Sequence, residues 1–261
     1  MQSNEKVALV TGASSGLGVA LAKELAGRGY DLVLTARSER PMAALAQELS
    51  SKHGVKVWVE ALDLSEPRSA AELVARLDAQ QINPSVLVNN AGFGLSEQFV
   101  SHAAVRLRSM LQLNVISLTE LTHILGARMV ARGSGHILLV ASLAAYAPSP
   151  KLAAYAASKA YILSLGEALN VEMAPSVGVT VLSPGVMDTG FNAASGYEIG
   201  QALRRFVRPT AMVAAIGIDA LFAGKPSIVA GRLNRLLLIA GRLLPRSLVL
   251  RQLRKAANRK H

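Results

Sequence analysis

The run AAYAASKAYILSL, residues 153–165, holds a tyrosine and, four positions later, a lysine among alanines and other helix-compatible residues. On an α-helix that spacing stacks Tyr155 and Lys159 on one face, where the ammonium is close enough to act on the phenol. The spacing alone is a weak signal, and its meaning depends on what else the chain supplies.

A second chemistry-bearing stretch is TGASSGLG, in which Gly12, Ser14, Ser15, Gly16, Leu17 and Gly18 follow the apolar run KVALVT. Glycines there let the backbone turn tightly and approach a pyrophosphate. Its charge is met by amide N–H groups and by the positive end of the following helix. A Gly-rich turn is often only a turn; its position between a strand and a helix is what favours a nucleotide. It has neither the G-x-G-x-x-G spacing nor the lysine of a P-loop, which disfavours a nucleoside triphosphate. At the end of the second strand, LTARSER, Ala36 occupies the place where an acid would hold a ribose 2′-hydroxyl, and Arg37 follows it. A guanidinium can meet a 2′-phosphate and stack on adenine, with Ser38 assisting, so NADP(H) is expected in preference to NAD(H). The alternative is an ordinary solvated loop arginine.

These residues need a frame. Apolar runs rich in Val, Leu and Ile lie at 6–11, 31–36, 55–62, 85–90, 135–142, 177–183 and 227–230. Between them, helical stretches read as 15–27, 39–53, 66–81, 96–132 with an interruption, 152–174 and 210–223. Continuous apolar strands alternating with helices imply a sheet buried on both faces and right-handed crossovers. The expected fold is α/β: a single Rossmann-like doubly wound domain, with a seven-stranded parallel sheet and helices on both faces. The expected division is a dinucleotide-binding and catalytic domain over 1–230 and a basic amphipathic tail over 231–261.

With the Gly-rich turn, NNAG at 89–92, YAASK at 155–159 and PGVMDT at 184–189 all in order, the chain resembles the short-chain dehydrogenase/reductase family over residues 6 to about 230. The resemblance implies a nicotinamide cofactor across the strand ends and a catalytic set that falls on Asn114, Ser142, Tyr155 and Lys159. Tyr155 would be the general acid toward a carbonyl oxygen, or the base in reverse. An ammonium at about 4 Å and an effective dielectric of about 20 favours the phenolate by roughly 4 kcal/mol before desolvation, so Lys159 is expected to bring Tyr155 into its working range and also to reach the cofactor ribose. Ser142 would hydrogen-bond the substrate oxygen. Asn114, at a helix irregularity, would support a water that relays protons to the lysine. The resemblance also implies that Asn90, Ala91 and Gly92 pass the adenosine side, that Asp63 and Leu64 touch adenine, and that Pro184, Gly185 and Thr189 lie on the nicotinamide side. Met187 stands where valine is commoner.

Residues 190–208 correspond to the segment that closes over substrate. The candidates around it, Leu143, Ala144, Tyr146, Val186, Phe191 and Tyr197, are mostly apolar, so a hydrophobic ketone, aldehyde or alcohol is expected as the small-molecule substrate. A homo-oligomer is expected too. The rival readings are a nucleotide-binding scaffold or sensor without turnover, and a membrane-surface protein acting through its tail.

Composition sets the outer limits. With 51% hydrophobic residues the chain of 261 can bury a large core, and no cysteine is present, which removes disulfides, thiolate metal sites and a thiol nucleophile. The five histidines lack ligand spacing, so no metal is expected. The start MQSNEKVALVTG does not read as a secretory signal, and a cytoplasmic protein, peripheral at a membrane if the tail binds one, is expected. The net charge of +11 is not spread evenly: residues 1–200 hold 15 Lys and Arg against 16 acids, whereas 201–261 hold 13 against the single Asp219. In the tail, Arg232, Arg235, Arg242 and Arg246 fall within an arc of about 80° on a helix, a stripe suited to anionic lipid. Equally, the leucine face could pack on the body or on a second subunit. Pro245 is expected to kink or break that helix, no uncharged apolar run is long enough to span a bilayer, and the absence of aromatic residues disfavours nucleic acid.

Overall fold

The computed structural model describes residues 6–187, 207–231, 233–235, 238 and 246–257. Thr189, Phe191, Tyr197, Arg232, Arg242 and Pro245, named above, lie outside the described residues, as does most of 190–208. The strands are β1 (Val7–Thr11), β2 (Asp31–Ala36), β3 (Val57–Ala61), β4 (Val86–Asn89), β5 (Gly135–Val140), β6 (Val177–Ser183) and β7 (Ser227–Val229). All pairings are parallel and the order is β3-β2-β1-β4-β5-β6-β7. The seven expected strands are all present, each within two residues of its expected ends.

The strands are apolar throughout because successive side chains enter two different cores. In β1, Ala8 and Val10 pack with Leu21 and Leu25 of α1 (Gly16–Ala26), Met42 and Leu49 of α2 (Glu39–His53), and Ile218 and Leu221 of α7 (Thr210–Phe222). Val7 and Leu9 face the other way. They join Leu73 and Leu77 of α3 (Ser69–Ala79), Leu121 and Leu125 of α5 (Leu118–Arg132), and Ile162 of α6 (Ala153–Glu172). Across the first layer Arg28 pairs with Asp219 of α7 at 2.6 Å and lies over the Phe222 ring at 5.6 Å.

The helix expected over 96–132 is divided. A short 3₁₀ turn at Phe99–Ser101 precedes α4 (Ala104–Leu111), and a π-helical turn over Gln112–Ser117 leads into α5. Such wide turns place a side chain where a regular helix would not, and here they deliver Asn114. The strand order reverses between β1 and β4, so the loops leaving these two strands diverge and open a crevice at the carboxyl edge of the sheet.

Candidate active site

That crevice is a cleft of about 570 Å³. At its β1 end the turn is held open for a ligand. Ser15 precedes α1 in an extended conformation and makes no side-chain cap, so the first amides of the helix are not spent on a cap. Gly12 has φ +68°, and a Cβ on Gly18 would lie 2.0 Å from the Gly12 carbonyl oxygen, so neither position accepts a side chain without moving the turn. Thr11 fixes the neighbouring loop: its Oγ1 receives the N–H groups of Asn90 (3.0 Å) and Ala91 (2.9 Å). Asn90 answers by donating from Nδ2 to the Thr11 carbonyl at 2.9 Å. Asn89, buried, donates to Thr122 Oγ1 at 2.9 Å and ties β4 to α5. Arg37 lines the cleft, is exposed, and makes no ion pair or hydrogen bond among the described residues. Ser38 beside it starts α2 without a side-chain cap. The Asp63 carboxylate accepts the amide and hydroxyl of Ser65 at 2.9 and 2.7 Å, which shapes the loop after β3.

At the other end, Ser142 leaves β5 and its Oγ accepts the Ala144 amide at 3.2 Å. The same hydroxyl hydrogen-bonds the Tyr155 phenol. Lys159 lies one turn further along α6, with Nζ 5.8 Å from the Tyr155 ring centroid, and it donates to the Val140 carbonyl at 2.8 Å. Both titratable groups are buried. Burial pushes the phenol up to about 12, which the Ser142 hydrogen bond only partly offsets, and pushes the ammonium down to about 8. Burial therefore opposes the shift toward the phenolate that Lys159 is expected to produce. Desolvation of both groups is the dominant effect on each.

Asn114 is fully buried and does not line the cleft. Its Oδ1 accepts the Phe93 amide (3.1 Å), and its Nδ2 donates to the Phe93 carbonyl (3.0 Å) and to Ser158 Oγ (3.1 Å). Its side chain is therefore a clamp between the loop after β4 and α6. Gly92 passes between it and the lysine: a Cβ there would lie 3.0 Å from Asn114 Oδ1 and 3.4 Å from Lys159 Nζ.

The cleft thus gathers Gly12, Ser14, Ser15, Gly16, Leu17, Gly18, Arg37, Asp63, Leu64, Asn90, Ala91, Gly92, Ser142, Tyr155, Lys159, Pro184 and Gly185 along one wall-to-wall path. Leu143, Ala144 and Val186 line it too, whereas Tyr146 bonds Ser183 Oγ at 3.2 Å. Sequence reasoning missed Thr11, which reads as an ordinary β-branched strand residue. It also missed Ser158, which donates to the Tyr155 carbonyl at 2.7 Å and accepts from Asn114; a small polar residue in an alanine-rich helix was its only signal. Phe93, Leu113, Ser149 and Leu152 also line the cleft.

The short chain dehydrogenase family model matches residues 6–199. "Probable oxidoreductase EphD" of Mycobacterium tuberculosis is 34% identical over 191 residues, covering 72% of this chain and 32% of its own, so the chain spans about a third of the length of that relative. A very-long-chain 3-oxoacyl-CoA reductase of Phaeosphaeria nodorum is 31% identical over 215 residues, 79% of this chain and 58% of its own. Among solved structures, a short-chain dehydrogenase from Sphingobium yanoikuyae in complex with NADPH superposes with a TM-score of 0.81 at 30% identity, covering 90% of this chain and 92% of that one. A parallel sheet with its Gly-rich turn at the reversal of strand order, and a Ser-Tyr-Lys cluster across the same cleft, agree with that match, and the chain belongs to the short-chain dehydrogenase family.

Proposed function

We propose that the protein is an NADP(H)-dependent oxidoreductase that interconverts the carbonyl and alcohol forms of a hydrophobic small molecule. The observation that carries this reading is the convergence on one cleft of an uncapped helix N-terminus, an unpaired Arg37 and a hydrogen-bonded Ser142–Tyr155 pair beside Lys159. The residues fit the cofactor: the Gly12–Gly18 turn admits a pyrophosphate, and Arg37 with Ser38 at the start of α2 suits a 2′-phosphate. Asp63, Leu64, Asn90, Ala91 and Gly92, which line the cleft, are read as the adenosine side, and Pro184 and Gly185 as the nicotinamide side. The NADPH complex of the Sphingobium enzyme supports the same choice. When bound, the nicotinamide supplies or accepts the hydride at the carbon being reduced or oxidised.

The chain's own groups handle the proton. Ser142 Oγ holds the substrate oxygen, and Tyr155 Oη gives that oxygen a proton in reduction or takes one from it in oxidation. Lys159 supplies the positive charge that favours the phenolate, and Asn114 fixes the backbone of Phe93 at the edge of the site. Leu143, Ala144, Leu152, Val186 and Met187 make the substrate wall apolar, which suits a hydrophobic ketone, aldehyde or alcohol and agrees with the acyl substrate named for the Phaeosphaeria relative. The protein is read as a cytoplasmic homo-oligomer, with exposed Leu111, Ile116 and Tyr161 available for a second copy.

The test is a panel of carbonyl compounds and alcohols followed by reduced-nicotinamide absorbance with each cofactor. Tyr155→Phe is expected to lower kcat by about 10²–10⁴-fold while cofactor affinity stays within a few-fold. Wild-type turnover in that variant would overturn the assignment of the proton.

A further inference from the structure

Beyond β7 the chain carries an excess of positive charge, and the described residues there expose Leu233, Leu248 and Leu250. The helix α8 (Arg246–Ala257) is the most amphipathic of the described helices. At 100° per residue Val249, Leu250 and Leu253 fall within an arc of about 100°, and Arg254 and Arg251 lie on one side of it, about 40° and 100° beyond Leu250. Leu250 is 47% exposed, and both arginines are exposed with no ion pair among the described residues.

The occupant of such a surface follows from charge. Residues 201–261 contain 13 Lys and Arg and one acid, and that acid, Asp219, is already engaged by Arg28 at 2.6 Å. The first 200 residues are close to neutral, so the body offers no acidic excess to match. An anionic bilayer offers both partners at once: phosphates for the arginines and an acyl boundary for the leucines. A helix of 12 residues is about 18 Å long, too short to cross, and no helix among the described residues is long and apolar enough to span a membrane.

We propose that α8 lies in the headgroup plane of an anionic lipid surface, with Leu250 and Leu253 turned into the acyl boundary and Arg251 and Arg254 set against lipid phosphates. The root of this extension abuts the cleft. Asn234 donates from Nδ2 to the Ala230 carbonyl at 2.8 Å, and a Cβ on Gly185 would lie 2.4 Å from that same nitrogen. Asn234, early in the extension, therefore packs beside Gly185 of the cleft. Docking would bring the cleft near the phase into which an apolar substrate partitions; this last consequence rests on the proposed function, whereas the docking itself does not.

The test is co-sedimentation of the full-length protein with vesicles of phosphatidylcholine, alone or with about a third phosphatidylglycerol, at low salt and at about 0.5 M salt. Expected are binding to the anionic vesicles only, its loss at high salt, and a fall of about 30-fold for Arg251→Gln/Arg254→Gln, at about five-fold per charge removed. Leu250→Glu/Leu253→Glu is expected to abolish binding while melting temperature and turnover of a water-soluble substrate stay at wild-type values. Absence of binding to anionic vesicles overturns the proposal, as does binding that neither variant weakens. Two further results also overturn it: duplex DNA bound more tightly than vesicles and insensitive to the leucine change, or a leucine variant that changes oligomeric mass without changing vesicle binding. Because sedimentation needs no turnover, a failed activity assay leaves this result standing, and a failed sedimentation leaves the catalytic reading standing.

Discussion

Replacing Lys159 by methionine keeps most of the side-chain volume and removes the charge, and the expected consequence can be worked from the site. Taking the 5.8 Å from Nζ to the Tyr155 ring centroid as the charge separation, an effective dielectric of about 20 gives an attraction of about 3 kcal/mol, or about two powers of ten in phenolate population. About half of that is returned, because a more basic phenolate takes the substrate proton more readily. The net loss in kcat/KM is then about tenfold near pH 7, equal in the two directions as detailed balance requires. The shape of the pH profile is more diagnostic than the size. In the wild type, alcohol oxidation should rise with pH to a break at about 8, where Lys159 loses its proton, and then level off. Above the break each unit multiplies phenolate tenfold but removes ammonium tenfold, and the pair behaves as one titrating unit. The variant has only the phenol, which burial holds above its usual range, so its rate should climb through the break and meet the wild-type curve about one unit above it. The assay is kcat/KM for one alcohol at saturating cofactor, with cofactor affinity measured separately by fluorescence. A break that persists at about 8 in the variant, or an undiminished rate near pH 7, would refute the assignment of that proton to Lys159.

Other expectations follow from single contacts. Arg37→Ala should weaken NADP(H) by about 10- to 100-fold and leave NAD(H) nearly unchanged, as read by titration of each, because a charge-assisted contact to phosphate contributes about 1.5–3 kcal/mol. Gly18→Ala places a methyl 2.0 Å from the Gly12 carbonyl oxygen; the turn has to move, and a stability loss of about 1–3 kcal/mol with weakened cofactor binding is expected in a denaturant titration. Asn114→Ala strands the Phe93 amide and carbonyl, both of which it satisfies. Its cost should be about 1–3 kcal/mol, visible as a lowered melting temperature.

The fold was legible because its signals are local and repeat. Val, Leu and Ile runs are continuous where both faces of a strand are buried, and each helix boundary fell within three residues of a turn or polar break. The cleft residues were legible where backbone geometry restricts the residue type, as at Gly12 and Gly18, or where a helical spacing is fixed, as for Tyr155 and Lys159. What the sequence did not carry was environment. Nothing in YAASK says that both ionisable groups are buried, so an attraction estimated in partly solvated surroundings was set against too small a desolvation. Asn114 is the converse case: its position was found, but its side-chain hydrogen bonds with Phe93 and Ser158 join segments 21 and 44 residues apart, contacts that exist only after the sheet has assembled.

The two ends of the cleft are built from different materials, and this decides where specificity can reside. The end of the cleft at β1 and β2 is framed by helix amides, glycines without side chains and a Thr11–Asn90 exchange of hydrogen bonds, none of which can vary without moving the main chain, with Arg37, Asp63 and Leu64 as side-chain lining. The substrate end consists of side chains, Leu143, Ala144, Leu152 and Val186, on a 3₁₀ turn and loops, where a change of size alters volume but not the sheet. Between them, Ser142, Tyr155 and Lys159 stand on β5's exit and one face of α6, elements held by both cores. On the proposed function, chemistry is fixed to the rigid centre, cofactor choice rests on Arg37, which makes no ion pair among the described residues, and substrate choice is left to apolar side chains that can be exchanged without disturbing either.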